Sequence, residues 1–112
     1  MTTTDTTGVT REQEREAIAS VPTGLFIGGE WRTTAATMSV VDPSTGQPLC
    51  EIADATPDEA AAALDAAAAA QADWARTPPR ERSEILTRAR DLMLADVDRL
   101  ALIMTLEMGK PL

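Results

Sequence analysis

Few residues in this chain have the type and spacing that chemistry requires. They are Gly109-Lys110 after an apolar run, the single cysteine Cys50, the glycines of Gly24-x-x-x-Gly28-Gly29, Trp31 and Trp74, and the carboxylate pairs Asp58/Glu59 and Asp96/Asp98. Gly109-Lys110 fails as a phosphate loop. That motif needs a glycine five positions before its Gly-Lys and a Ser or Thr after the lysine; those positions hold Met104 and Pro111. The pair reads instead as a helix stop, with Gly109 as C-cap, Lys110 at the negative helix end and Pro111 barring continuation.

Cys50 has no activating base, because the chain contains no histidine. It reads as a small buried hydrophobe within a strand. The same lack excludes a Ser-His-Asp or Cys-His site built from this chain alone. The glycines at 24, 28 and 29 surround an apolar run rather than opening a helix after one, so they are hairpin glycines and not a dinucleotide fingerprint. Trp31 and Trp74 are expected to anchor an alanine-rich interior. Asp58 and Glu59 belong to a helix start, and Asp96 and Asp98 to a polar face.

The elements that position these residues follow from periodicity and punctuation. Residues 1–8 are Thr-rich and polar, the composition of a disordered tail. Thr10-Arg11-Glu12-Gln13 is a capping box opening a short charged helix through about Ser20. Gly24–Trp31, Met38–Val41 and Leu49–Ala53 are expected to form three short strands in a meander. Asp42-Pro43-Ser44-Thr45-Gly46 supplies the turn between the second and third. Thr56 caps the next helix, with Pro57 in its first position and Glu59 closing the box. This Ala-rich helix runs to about Trp74 and ends at Thr77-Pro78-Pro79. From Arg80, Leu86, Ala89, Met93, Val97, Leu100 and Met104 fall on one face. Arg82, Arg88, Asp91, Asp96 and Asp98 lie mostly off it as solvated charge. The span from Pro79 to Met108 is long for one helix, which predicts a break near Asp96–Asp98. The chain is thus α+β, three short N-terminal strands followed by two to three α-helices, divided into residues 1–23 and 24–112.

Composition bounds the partners. A net charge of −8 argues against nucleic acid, and no run reaches the ~18 apolar residues of a membrane span. One cysteine excludes an internal disulfide and fits a reducing compartment, so a cytoplasmic protein is expected. At 112 residues the chain buries only about 65% of its unfolded surface, which makes a shared core with a partner plausible.

Taken in order, Gly29-Glu30-Trp31, Asp42-Pro43-Ser44-Thr45-Gly46, the Ala-rich helix ending at Trp74, Pro79-Arg80-Glu81-Arg82 and Met104-Thr105-Leu106-Glu107-Met108-Gly109-Lys110-Pro111-Leu112 resemble the N-terminal segment of the aldehyde dehydrogenase superfamily. The likeness runs from about Gly24 to Leu112. The closing run is most similar to that of NAD(P)-dependent succinate-semialdehyde dehydrogenases. Asp42 replaces the family's usual Asn in the Asn-Pro-x-x-Gly turn and keeps its side-chain acceptor. The resemblance implies a Rossmann-like α/β parent that forms homo-oligomers and uses NAD or NADP. It oxidises an aldehyde to an acid through a cysteine thioester, a hydride transfer and a glutamate-activated water.

The family continues for several hundred residues beyond the position of Leu112. Its cofactor lysine, nicotinamide glycines, general-base glutamate and nucleophilic cysteine match no residue here; Cys50 and Lys110 do not take those roles. Catalytic, cofactor-binding and metal residues are therefore expected to be none, and the chain alone is expected to be inactive and to bind no cofactor. Some members place a monovalent cation near the positions of Val40 and Glu107, to which no role is assigned. The partner expected is the remaining C-terminal part of the dehydrogenase. Two other readings stay open: an acidic helical interaction module using the Leu86-to-Met104 face, and one chain of a split dehydrogenase.

Overall fold

The computed structural model describes residues 8–112, so the tail expected over residues 1–8 lies, apart from Gly8, outside the described residues. The element order is α1 (Arg11–Ala19), β1 (Leu25–Ile27), β2 (Glu30–Arg32), β3 (Ala36–Val41), β4 (Pro48–Asp54), α2 (Pro57–Arg76), α3 (Pro79–Ala95) and α4 (Val97–Met108).

Local chemistry explains most boundaries. The Gln13 amide donates to Thr10 Oγ1 at 3.2 Å and the Thr10 amide to Gln13 Oε1 at 2.8 Å, closing the capping box of α1. Thr56 and Glu59 repeat it at α2, with 3.2 Å from the Glu59 amide to Thr56 Oγ1 and 2.8 Å from the Thr56 amide to Glu59 Oε2. α2 runs past Trp74 to Arg76, and Thr77 ends it in an extended conformation (φ −62°, ψ 129°). The expected break falls at Asp96, whose φ of −117° and ψ of 18° separate α3 from α4. Gly109 closes α4 in the left-handed region, φ 78°, its amide donating to the Thr105 carbonyl at 2.9 Å.

The strands correct the three-strand meander. Gly28 and Gly29 have φ of 61° and 85°, and two consecutive positive values turn the chain back through a two-residue loop. The run from Gly24 to Trp31 is therefore a complete hairpin, with Phe26 opposite Trp31. β3 and β4 form a second antiparallel hairpin pairing Met38 with Ile52 and Val40 with Cys50, irregular between Val40 and Val41. Among the described residues four strands thus make two separate two-stranded sheets. The Ala53 amide, donating to the Thr23 carbonyl at 2.7 Å, ties β4 to the approach to β1.

The core lies where α1 crosses α4. Ala17, Leu102 and Leu106 are buried there, with Ile18, Leu49 and Ile103 packed around them. Ile27 is buried as well, on the hairpin that lies against α2. No large side chain among the described residues is fully buried. The radius of gyration is 18.7 Å, against about 13 Å for a compact domain of this length.

The expected apolar stripe is not the buried face. Leu86, Met93, Val97 and Met104 are exposed, and only Leu100 is half-buried. The break at Asp96 interrupts the helical phase that would have aligned them. α4 turns Leu102, Ile103 and Leu106 toward α1 instead. Trp31 and Trp74 also differ from expectation, since both are exposed and neither anchors an interior; Trp31 packs against Phe26 as a tilted pair, ring centroids 5.0 Å apart and planes inclined at 42°.

Candidate functional site

The residues singled out for chemistry are dispersed by the fold and mostly engaged in holding it. Cys50 lies on β4 opposite Val40, half-buried rather than enclosed. Lys110 follows the Gly109 cap on the exposed end of α4. Glu59 is committed to the α2 cap. Asp96 is not a solvated carboxylate: it is half-buried and accepts Arg99 Nε on both oxygens at 2.9 Å. Arg99 Nη1 also donates to Ser20 Oγ at 2.6 Å, so one guanidinium joins the α3–α4 break to the end of α1. Asp98 shares none of this. Among the described residues no group of three or more His, Cys, Asp and Glu side chains is placed to hold a metal ion.

The perturbed acids and base report the same structural work. The Asp42 carboxylate accepts from the Ser44 hydroxyl and amide, both at 2.7 Å. These bonds hold its pKa below the ordinary carboxylate value. The hydrogen bond from Arg99 lowers Asp96, and the same contact raises Arg99.

Among the described residues no positive-φ glycine opens a helix. The glycines with positive φ lie in two hairpin turns (Gly28, Gly29, Gly46) and a helix C-cap (Gly109). A pyrophosphate cradle instead needs a glycine turn leading into a helix N-terminus. The first turns of α1 and α2 are already occupied by their own capping side chains.

What the surface offers is apolar area. Leu64 is 73% exposed, Leu92 72% and Met108 64%. Two clefts accompany these faces. One, of about 590 Å³ between α1 and α4, is lined by Val9, Ala17, Arg99, Leu102 and Leu112 among others. The other, of about 490 Å³, lies between the end of α2 and the start of α3, with Trp74, Pro79, Arg82 and Leu86 in its walls. Sequence reasoning missed Arg82, treating it as solvated charge. Arg82 is half-buried, and the adjacency of Trp74 and Pro79 across the Thr77-Pro78 turn was the available signal.

A model described as the aldehyde dehydrogenase family matches residues 31–112. The chain belongs to the aldehyde dehydrogenase family. This agrees with the landmarks from Gly29-Glu30-Trp31 to the Gly109-Lys110-Pro111 helix stop. Within this family, the chain is 61% identical over 64 residues to the succinate-semialdehyde dehydrogenase of Paenarthrobacter nicotinovorans, covering 57% of this chain and 14% of that relative. It is 45% identical over 87 residues to the mitochondrial succinate-semialdehyde dehydrogenase of Rattus norvegicus, covering 78% and 17%. Over 79 residues it is 46% identical to the betaine aldehyde dehydrogenase of Cereibacter sphaeroides, covering 70% and 16%. This aldehyde dehydrogenase family chain therefore spans about one-sixth of the length of these curated relatives. Among its described residues no helix is long and apolar enough to cross a membrane.

Proposed function

We propose that the chain is the N-terminal, structure-bearing part of an NAD(P)-dependent aldehyde dehydrogenase that oxidises succinate semialdehyde to the dicarboxylic acid in the cytoplasm. The observation that carries this reading is the 61% identity to a succinate-semialdehyde dehydrogenase over 64 residues. The exposed apolar faces of α2, α3 and α4 support it, because they leave area for a larger body to cover. Thiolate, hydride and water chemistry belongs, in this reading, to residues outside the chain, and the chain contributes a scaffold: two hairpins and a helical face on which the catalytic body and neighbouring subunits assemble.

The test is a chimera in which this chain replaces the segment it matches in the Paenarthrobacter nicotinovorans enzyme. Succinate-semialdehyde-dependent NAD(P)H formation close to that of the unmodified enzyme is the expected result. The isolated chain should form none. An inactive, unassembled chimera, or aldehyde-dependent NAD(P)H formation by the isolated chain, would overturn the proposal.

A further inference from the structure

The cleft between the last turn of α2 and the first turns of α3 holds an unmet charge. Arg82 lines it with Trp74, Pro79, Ser83, Leu86 and Arg90. Two other arginines of α3 have partners: Arg80 donates to Glu84 at 3.1 Å and Arg90 to Asp91 at 2.7 Å. Arg82 is half-buried, and although its amide donates to the Pro78 carbonyl at 3.1 Å, its guanidinium has no ion pair and no hydrogen bond among the described residues. No carboxylate lines the cleft, although the chain as a whole carries a net charge of −8. Beside Arg82, Trp74 is 37% exposed and Leu86 63%.

A partly desolvated guanidinium is satisfied best by a carboxylate that accepts two of its N–H groups. Trp and Arg together at a concave, partly desolvated place are the residue types that dominate binding energy at interfaces. The excess of negative charge elsewhere on the chain makes nucleic acid a poor occupant, since phosphate binding needs many clustered cations. We propose that this cleft is the docking point for a segment of the dehydrogenase's remaining body that presents a carboxylate beside an apolar side chain. The carboxylate pairs with Arg82, and the apolar side chain covers Trp74 and Leu86. This rests on the reading of the chain as part of a larger aldehyde dehydrogenase.

The experiment compares Arg82→Glu, Arg82→Lys and Trp74→Ala in two settings, the isolated chain and the active chimera. In the isolated chain Arg82→Glu should leave helical ellipticity and hydrodynamic size unchanged, because no internal contact is lost. In the chimera it should raise the rate of thermal inactivation about tenfold or more, as loss of a charge-assisted contact does. Arg82→Lys should have a smaller effect, Trp74→Ala should accelerate inactivation as well, and kcat/KM of the surviving enzyme should hold. Equal inactivation of Arg82→Glu and the parent chimera overturns the proposal. So does loss of helicity in the isolated Arg82→Glu chain, which would make the residue internal, or an isolated dimer that Arg82→Glu dissociates, which would make the occupant a second copy. If the chimera without these substitutions is inactive, the functional reading itself fails and this inference falls with it.

Discussion

Gly109, the left-handed cap of α4, lies directly against Pro43 in the β3–β4 turn: a Cβ built on the glycine would sit 3.3 Å from the proline Cγ. The helix stop and the Asp-Pro-Ser-Thr-Gly turn, far apart in sequence, are thus packed together. Both of glycine's freedoms are used at this position, the positive φ of 78° and the missing side chain.

Gly109→Ala should therefore destabilise the α4 terminus by about 1–2 kcal/mol, combining backbone strain with the close contact. Thermal melts of far-UV ellipticity check this. An unchanged melt would show that the end of α4 frays away from Pro43.

Thr56→Ala removes the side-chain half of the α2 capping box, the hydroxyl that accepts from the Glu59 amide and donates to Glu59 Oε2, while the backbone amide of residue 56 can still donate to Glu59. The expected cost is about 1 kcal/mol. A cycle with Glu59→Ala should show the two effects to be less than additive, because the residues act as one unit.

Asp42 makes the β3–β4 turn acid-sensitive. Its folded pKa is lowered by the Ser44 bonds, so its contribution to stability is fully present above the unfolded carboxylate value of about 4. It is lost as pH falls through the folded value. Asp96 follows the same sign through Arg99, whereas the raised Arg99 loses its contribution only at strongly alkaline pH. The protection factor for amide exchange at Ser44, taken relative to the intrinsic rate at each pH, should fall on acidification. Asp42→Asn, which keeps an acceptor oxygen, should remove that pH dependence while preserving the turn.

Buried and exposed leucines should separate sharply in the isolated chain. Leu102→Ala, at 8% exposure, should cost about 2–4 kcal/mol by leaving a cavity between α1 and α4. Leu92→Ala, at 72% exposure, should stay within about 0.5 kcal/mol. Urea unfolding followed by ellipticity measures both, and equal costs would place Leu92 inside a core.

Much of the fold was legible in the residues. The two capping boxes, the Asp42 turn, the break at Asp96 and the Gly109 stop all appear where composition and spacing put them. The family resemblance from Gly24 onward agrees with the match over residues 31–112. The apolar residues of GLFIGGEW suggest one strand, but the reversal that Gly28 and Gly29 impose makes it two. The stripe from Leu86 to Met104 needs one continuous helical phase, which the break at Asp96 interrupts.

By itself, the sequence determined the features closed by groups a few residues apart: caps, tight turns and helix ends, where a hydroxyl, a proline ring or a missing Cβ acts on its own backbone. Only the tertiary structure decided which side of α4 is buried, that Arg99 reaches from Asp96 to Ser20, and that Gly109 meets Pro43. Those relationships depend on the relative placement of distant elements, which is set by the summed burial of small apolar areas and not by any local rule. The placement of Arg82 is of the same kind. Its charge is written in the sequence, but its half-burial beside Trp74 exists only once α2 and α3 turn about Thr77-Pro78.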